Sequence, residues 1–153
     1  MAAVPNYSFK GNQNRSDFAP LNSGVRRSDR NPMNVEKLKT HCLGYVGSTE
    51  RLYAHPSNIL VYSVGGKTFA YFKTSEPEQW RFSIRVTPSR FLELTDMPGV
   101  KPARYMGRFH WVTIVNVSAF PSAYLVELVG ASYRRALESL SKVKQRAITG
   151  RST

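Results

Sequence analysis

Two adjacent glycines constrain this chain more than any other feature. Gly65-Gly66 separates Ile59–Val64 from Lys67–Lys73, two runs rich in β-branched and aromatic residues. Positive φ angles at both positions of a two-residue loop are what a tight antiparallel hairpin needs, and glycine adopts them without steric cost. The following lysine invites comparison with a Walker phosphate loop, but that loop needs Gly-x-x-x-x-Gly-Lys-Ser/Thr between a strand and a helix, and the spacing here does not match. A hairpin turn is therefore the expected reading. Trp80, Phe82, Ile84 and Val86 alternate with Arg81, Ser83, Arg85 and Thr87, so a strand here packs one face and leaves two arginines on a wet face. Arg51–His55 and Trp111–Val117 are two further candidate strands.

Helix signals bracket these strands. Asn34 is a candidate N-cap, though Lys37 stands where a capping box has Glu or Gln; Val35, Leu38 and Cys42 share one face, and the helix should end near Gly44. Thr87-Pro88 pairs an N-cap threonine with a proline suited to the first helical position, opening a short helix with Phe91, Leu92 and Leu94 on its apolar side. Asp96–Gly107 reads as a loop. Pro121 opens a long helix in which Leu125, Leu128, Val129, Ala136, Leu137, Leu140 and Val143 recur at steps of three and four. The expected architecture is an α+β two-layer sandwich: a mostly antiparallel sheet with an N-terminal helix, a short middle helix and a long C-terminal helix. At 153 residues and 41% apolar content the chain suits one domain. Its expected organisation is a flexible basic extension over 1–32, the domain over 33–144 and a basic tail over 145–153.

A second set of residues brings in a family. Pro98-Gly99, Pro102-Ala103, His110-Trp111-Val112 and Ser132-Tyr133, with Gly66-Lys67-Thr68-Phe69-Ala70 upstream, resemble the signature of the MmcQ/YjbR family of small bacterial α/β proteins. The resemblance runs from about Asn34 to Val143. It implies a frataxin-like fold of the "double wing" type, for which DNA binding is the expected role, and it implies no established reaction.

Charge points the same way. Lys and Arg outnumber Asp and Glu by 22 to 10, for a net charge of +12, and such a field attracts polyanions. Five basic against two acidic residues fall in 1–32, and six against one in 133–153, a distribution suited to arms that reach phosphates. Lys101, Arg104, Arg108 and His110 are interleaved with Tyr105, Phe109 and Trp111, with no acid between Asp96 and Glu127. Cations hold phosphates, while aromatic faces stack on bases or anchor the loop to the core. On the sheet, Arg81 and Arg85 are the expected wet-face cations, in competition with simple pairing to Glu76 or Glu78. Lys67 and Lys73 join them if Phe69 and Tyr71 point outward; a one-residue register change would put both aromatics in the core. The candidate interface is thus Lys67, Lys73, Arg81, Arg85, Lys101, Arg104, Arg108, His110 and Trp111.

Other chemistries are poorly served. His41, His55 and His110 show no metal-ligand spacing, and Cys42, the only cysteine, cannot face the adjacent His41 from a helix. The first helix holds Glu36 against Lys37 and Lys39, whereas hard cations need clustered carboxylates, so iron is not expected despite the fold. Tyr133 lacks an identifiable partner for proton transfer; packing, with its hydroxyl on a backbone group, is the expected role. The sequence therefore predicts a non-enzymatic DNA-binding protein without cofactor or metal. The alternatives are a protein-interaction adaptor, homodimerisation included, or a binder of small phosphate ligands. With no signal peptide, no membrane-length apolar run and no disulfide, the expected compartment is the cytoplasm.

Overall fold

A computed structural model describes residues Pro32–Gly150; the expected extension, save Pro32, and the last three residues of the tail lie outside the described residues. Helix α1 (Val35–Leu43) starts where Asn34 accepts a hydrogen bond from the Lys37 amide at 2.8 Å. Six strands follow: β1 (Ser48–Tyr53), β2 (Ile59–Val64), β3 (Lys67–Lys73), β4 (Phe82–Arg85), β5 (Val100–Pro102) and β6 (Trp111–Ile114). They form one antiparallel sheet in the order β1-β2-β3-β4-β6-β5. Helix α2 (Pro88–Thr95) follows β4, and α3 (Ser122–Glu138) and α4 (Lys142–Thr149) close the described chain. The α+β class read from the sequence is the class observed.

The hairpin forms as its glycines dictate, with φ of 56° at Gly65 and 84° at Gly66. Thr87 caps α2 through the Arg90 amide, with Pro88 in its first turn. One sheet face holds Leu60, Tyr62, Ala70, Phe72, Phe82, Ile84, Val112 and Ile114, all buried. Helix α3 packs on β3 and sends Leu125, Leu128, Val129 and Ala136 into the core. Burying such side chains stabilises by about 1.5–3 kcal/mol each.

β1 runs Ser48–Tyr53 where the sequence suggests Arg51–His55, and four other boundaries differ, each for a local reason. β4 begins at Phe82 because Glu78 and Trp80 adopt φ of 58° and 69°, which breaks the strand that alternation would extend to Trp80. The expected loop Asp96–Gly107 contains β5, a three-residue edge strand ending in a proline, too short to show a period. β6 stops at Ile114, and the Asn116 side chain accepts from the Ser118 amide to start a 3-10 turn at Val117–Ala119. The long helix breaks at Ser139, whose hydroxyl donates to the Ala136 carbonyl at 2.7 Å, and Ser141 caps α4 through Lys144. Serine side chains that bond nearby backbone compete with continuation of a helix. Leu140 consequently enters the core while Val143 is 68% exposed. Helix α4 occupies most of the stretch read as a tail, and with the Leu140 corner before it leans on two positive-φ glycines: a Cβ on Gly47 would fall 2.5 Å from Ile148, and one on Gly65 would fall 2.5 Å from Leu140 and 3.2 Å from Ile148.

Candidate nucleic-acid interface

The pairing register builds the site. Val61 pairs with Tyr71, Tyr71 with Ser83, Ser83 with Thr113, and Thr113 with Lys101, one row across five strands. Adjacent side chains on a strand point to opposite faces, so this row lies opposite the core row of Tyr62, Ala70, Ile84 and Val112. A bulge at Phe69 settles the register left open by the sequence. It lies between Tyr62/Ala70 and Ser63/Thr68, so Phe69 and Ala70 are both buried, while Tyr71 is half-buried on the opposite face.

On that opposite face lies a groove of about 520 Å³. Its lining includes Ile59, Val61, Tyr71 and Trp111, with Lys73, Arg81 and Arg104 as its cations and Tyr105 and Met106 contributed by the β5–β6 loop. Tyr71 and Trp111 rings meet at 5.6 Å. Trp111 is only 5% exposed, so it supports the groove and is not free to wedge between base steps. Ser83 and Thr113, both buried, satisfy each other through a 2.8 Å hydroxyl contact.

The loop's chemistry follows from its backbone. Tyr105 and His110 adopt φ of 67° and 68°, bracketing a 3-10 turn at Gly107–Phe109. Bulky side chains rarely adopt this region, and here it presents Tyr105 to solvent at 81% exposure. Arg104 lies 5.1 Å from the Tyr105 ring centre and Arg108 4.8 Å from that of Phe109, attractive placements of a cation on a ring face. His110 packs edge-on against Phe91 at 5.5 Å, making it an anchor of the loop.

The nine sequence candidates therefore separate. Lys73, Arg81, Arg104 and Trp111 line one groove. Lys101 and Arg81 share Glu78, at 2.7 and 3.6 Å, so part of their charge is neutralised, as the pairing alternative has it for Arg81. Lys67 and Arg85 line a different cavity. Among the described residues no acid pairs with Lys73, Arg104 or Arg108. The partners that sequence reasoning did not reach, Ile59 and Val61, come from β2 and become neighbours of the loop only through strand order, whereas Tyr71 takes the outward position that the sequence left open.

The remaining chemical candidates have structural occupations. Cys42 is fully buried, and burial first, then the nearby Glu50 charge, push its thiol up to about 12, so the reactive thiolate is suppressed. His41 bonds the Tyr45 hydroxyl at 2.9 Å. The Tyr133 hydroxyl donates to the Val46 carbonyl at 2.6 Å and its ring packs on Phe69 and Tyr45, the packing role read from the sequence. Among the described residues no three His, Cys, Asp or Glu side chains gather as a metal site, and no helix is long and apolar enough to cross a membrane.

An antiparallel sheet covered by helices on one face and grooved on the other defines a class of small α+β sandwich proteins. Two solved structures share the fold. Deinococcus radiodurans protein DR2400, described as a DUF419 domain, is 24% identical with a TM-score of 0.66, over 76% of this chain and 88% of its own. A Pseudomonas syringae protein is 16% identical with a TM-score of 0.56, over 68% of this chain and 99% of its own. The YjbR family model matches residues 43–135, and the chain belongs to that family. No curated protein sequence matches it.

Proposed function

We propose that this protein binds DNA without catalysing a reaction, holding an unpaired stretch along the groove of the open sheet face. The observation that carries the reading is the placement of an 81% exposed Tyr105 with Arg104 and Lys73, cations that no acid among the described residues neutralises, on a groove lined by aromatic and aliphatic side chains. Base-aromatic stacking contributes about 1–3 kcal/mol per base and tolerates any sequence, because every base has a π-face. Only an unpaired base exposes that face, which favours a single strand over a duplex. Arg108 beside Phe109 extends the same alternation along the loop. The net charge of +12 adds long-range attraction. A cytoplasmic site of action accompanies this reading.

Fluorescence anisotropy with one labelled oligonucleotide, single-stranded and then annealed, at two salt concentrations is the test. Three phosphates neutralised on a single strand give a slope of log K against log salt of about −2. Tyr105→Ala should weaken the single strand by about 1–3 kcal/mol, and Arg104→Glu with Arg108→Glu should flatten the slope. Unchanged affinity in the double charge reversal removes this surface from consideration. A partner captured after nuclease treatment at high salt would instead favour the adaptor reading.

A further inference from the structure

A second cavity, of about 230 Å³, opens between α3 and the ends of β3 and β4. It is lined by Lys67, Thr68, Arg85, Ser132, Arg135 and Ser139, with Ala136 as its apolar wall. It adjoins the groove at Thr68 but shares no cation with it. Three basic side chains meet there, and among the described residues no carboxylate pairs with any of them.

Arg85 is the telling member. Its Nε is buried and has no acceptor, although a buried donor without a partner is costly and most are satisfied. Burial first, and then the charge of Arg135, press the Arg85 guanidinium below the ordinary arginine value. Arg135 thus repels Arg85 across a cavity that Lys67 also lines, and an entering anion would relieve that repulsion. The backbone explains how they come together. The β3–β4 register, extended by one residue, would set Phe69 opposite Arg85. That rung is replaced by Ser132, whose hydroxyl accepts from the Arg85 amide at 3.2 Å and donates to the Phe69 carbonyl at 2.6 Å. The serine is spent on the backbone, and α3 is held where its next turn delivers Arg135 beside Arg85.

We propose that this cavity is a binding site for a phosphate group, either inorganic phosphate or the terminal phosphate of an ester, held by Arg85, Arg135 and Lys67 with the Thr68 hydroxyl. Planar guanidinium groups match the oxygens of a phosphate in pairs, and a buried Nε supplies one donor of such a fork. The site does not depend on the groove: neither Arg104 nor Arg108 lines it.

The test is thermal denaturation of the full chain in sodium phosphate against sodium chloride at equal ionic strength. Phosphate should raise the melting temperature in a saturable way where chloride does not. Arg135→Gln and Lys67→Gln, at exposed positions, should each weaken phosphate at least fivefold, while Arg104→Glu with Arg108→Glu leaves it unchanged. Arg135→Gln should also melt higher than the parent in chloride and lower in saturating phosphate, an inversion that a merely structural arginine would not produce. An oligonucleotide carrying a 5′-phosphate, compared with the same strand without it, identifies the source. A gain that disappears in Arg135→Gln points to a nucleic-acid end, and a response to inorganic phosphate alone points to free phosphate. Equal shifts in phosphate and chloride, or equal phosphate shifts in the parent and Arg135→Gln, would overturn the proposal.

Discussion

Replacing Ser132 by alanine removes one oxygen from the interior and leaves two backbone groups stranded. Ser132 is 2% exposed, and its hydroxyl stands in for the β3–β4 rung between the Arg85 amide and the Phe69 carbonyl. Each buried group left without a partner costs about 1–3 kcal/mol. The two do not bond each other in the fold, where the β3–β4 pairing ends at Ala70–Ile84 and the Ser132 hydroxyl stands between them. The expected loss is about 2–6 kcal/mol, a large share of the roughly 5–15 kcal/mol that stabilises a domain. In urea, where m is about 2 kcal/mol/M, the midpoint should fall by roughly 1–3 M with m unchanged. Amide exchange should accelerate first at Arg85. A loss below about 0.5 kcal/mol would mean that the rung closes without the serine, and would refute the account of how α3 is fixed on the sheet.

Three further outcomes follow from backbone conformation and burial. Gly66→Ala meets open space and should lose about 1–2 kcal/mol from its positive φ alone, whereas Gly65→Ala must also displace Leu140 and should lose more; equal losses in denaturant titrations would contradict the docking of the α3–α4 corner on the hairpin. The buried Cys42 thiol keeps its proton in the folded state at pH values where the unfolded thiol has lost it, so the folded state binds more protons and stability falls as pH rises from about 9 towards 12. Cys42→Ala should begin that alkaline decline nearer pH 10, where the raised values of Tyr45, Tyr62, Tyr124 and Tyr133 take over, and an identical pH profile would show that the thiol never titrates. His41, lowered by burial, acts oppositely: the folded state disfavours its charged form, so stability is lost as pH drops below the ordinary imidazole value near 6.5.

The chain alone determined whatever depends on neighbours in sequence. Asn34 and Thr87 set helix starts through their own side chains, Gly65-Gly66 set the hairpin through its φ angles, and the stripe from Leu125 to Ala136 set the buried face of α3. The basic aromatic loop was likewise visible as composition. Tertiary structure decided which cations act together, because grouping depends on register and strand order. One bulged residue turned Phe69 into the core and Tyr71 to the groove, one carboxylate at Glu78 claimed both Arg81 and Lys101, and Lys67 and Arg85 came to share a cavity with Ser132 and Arg135 rather than with the loop. Charges add along the sequence, but the electrostatic work they do falls with distance in space, and only the folded chain sets those distances.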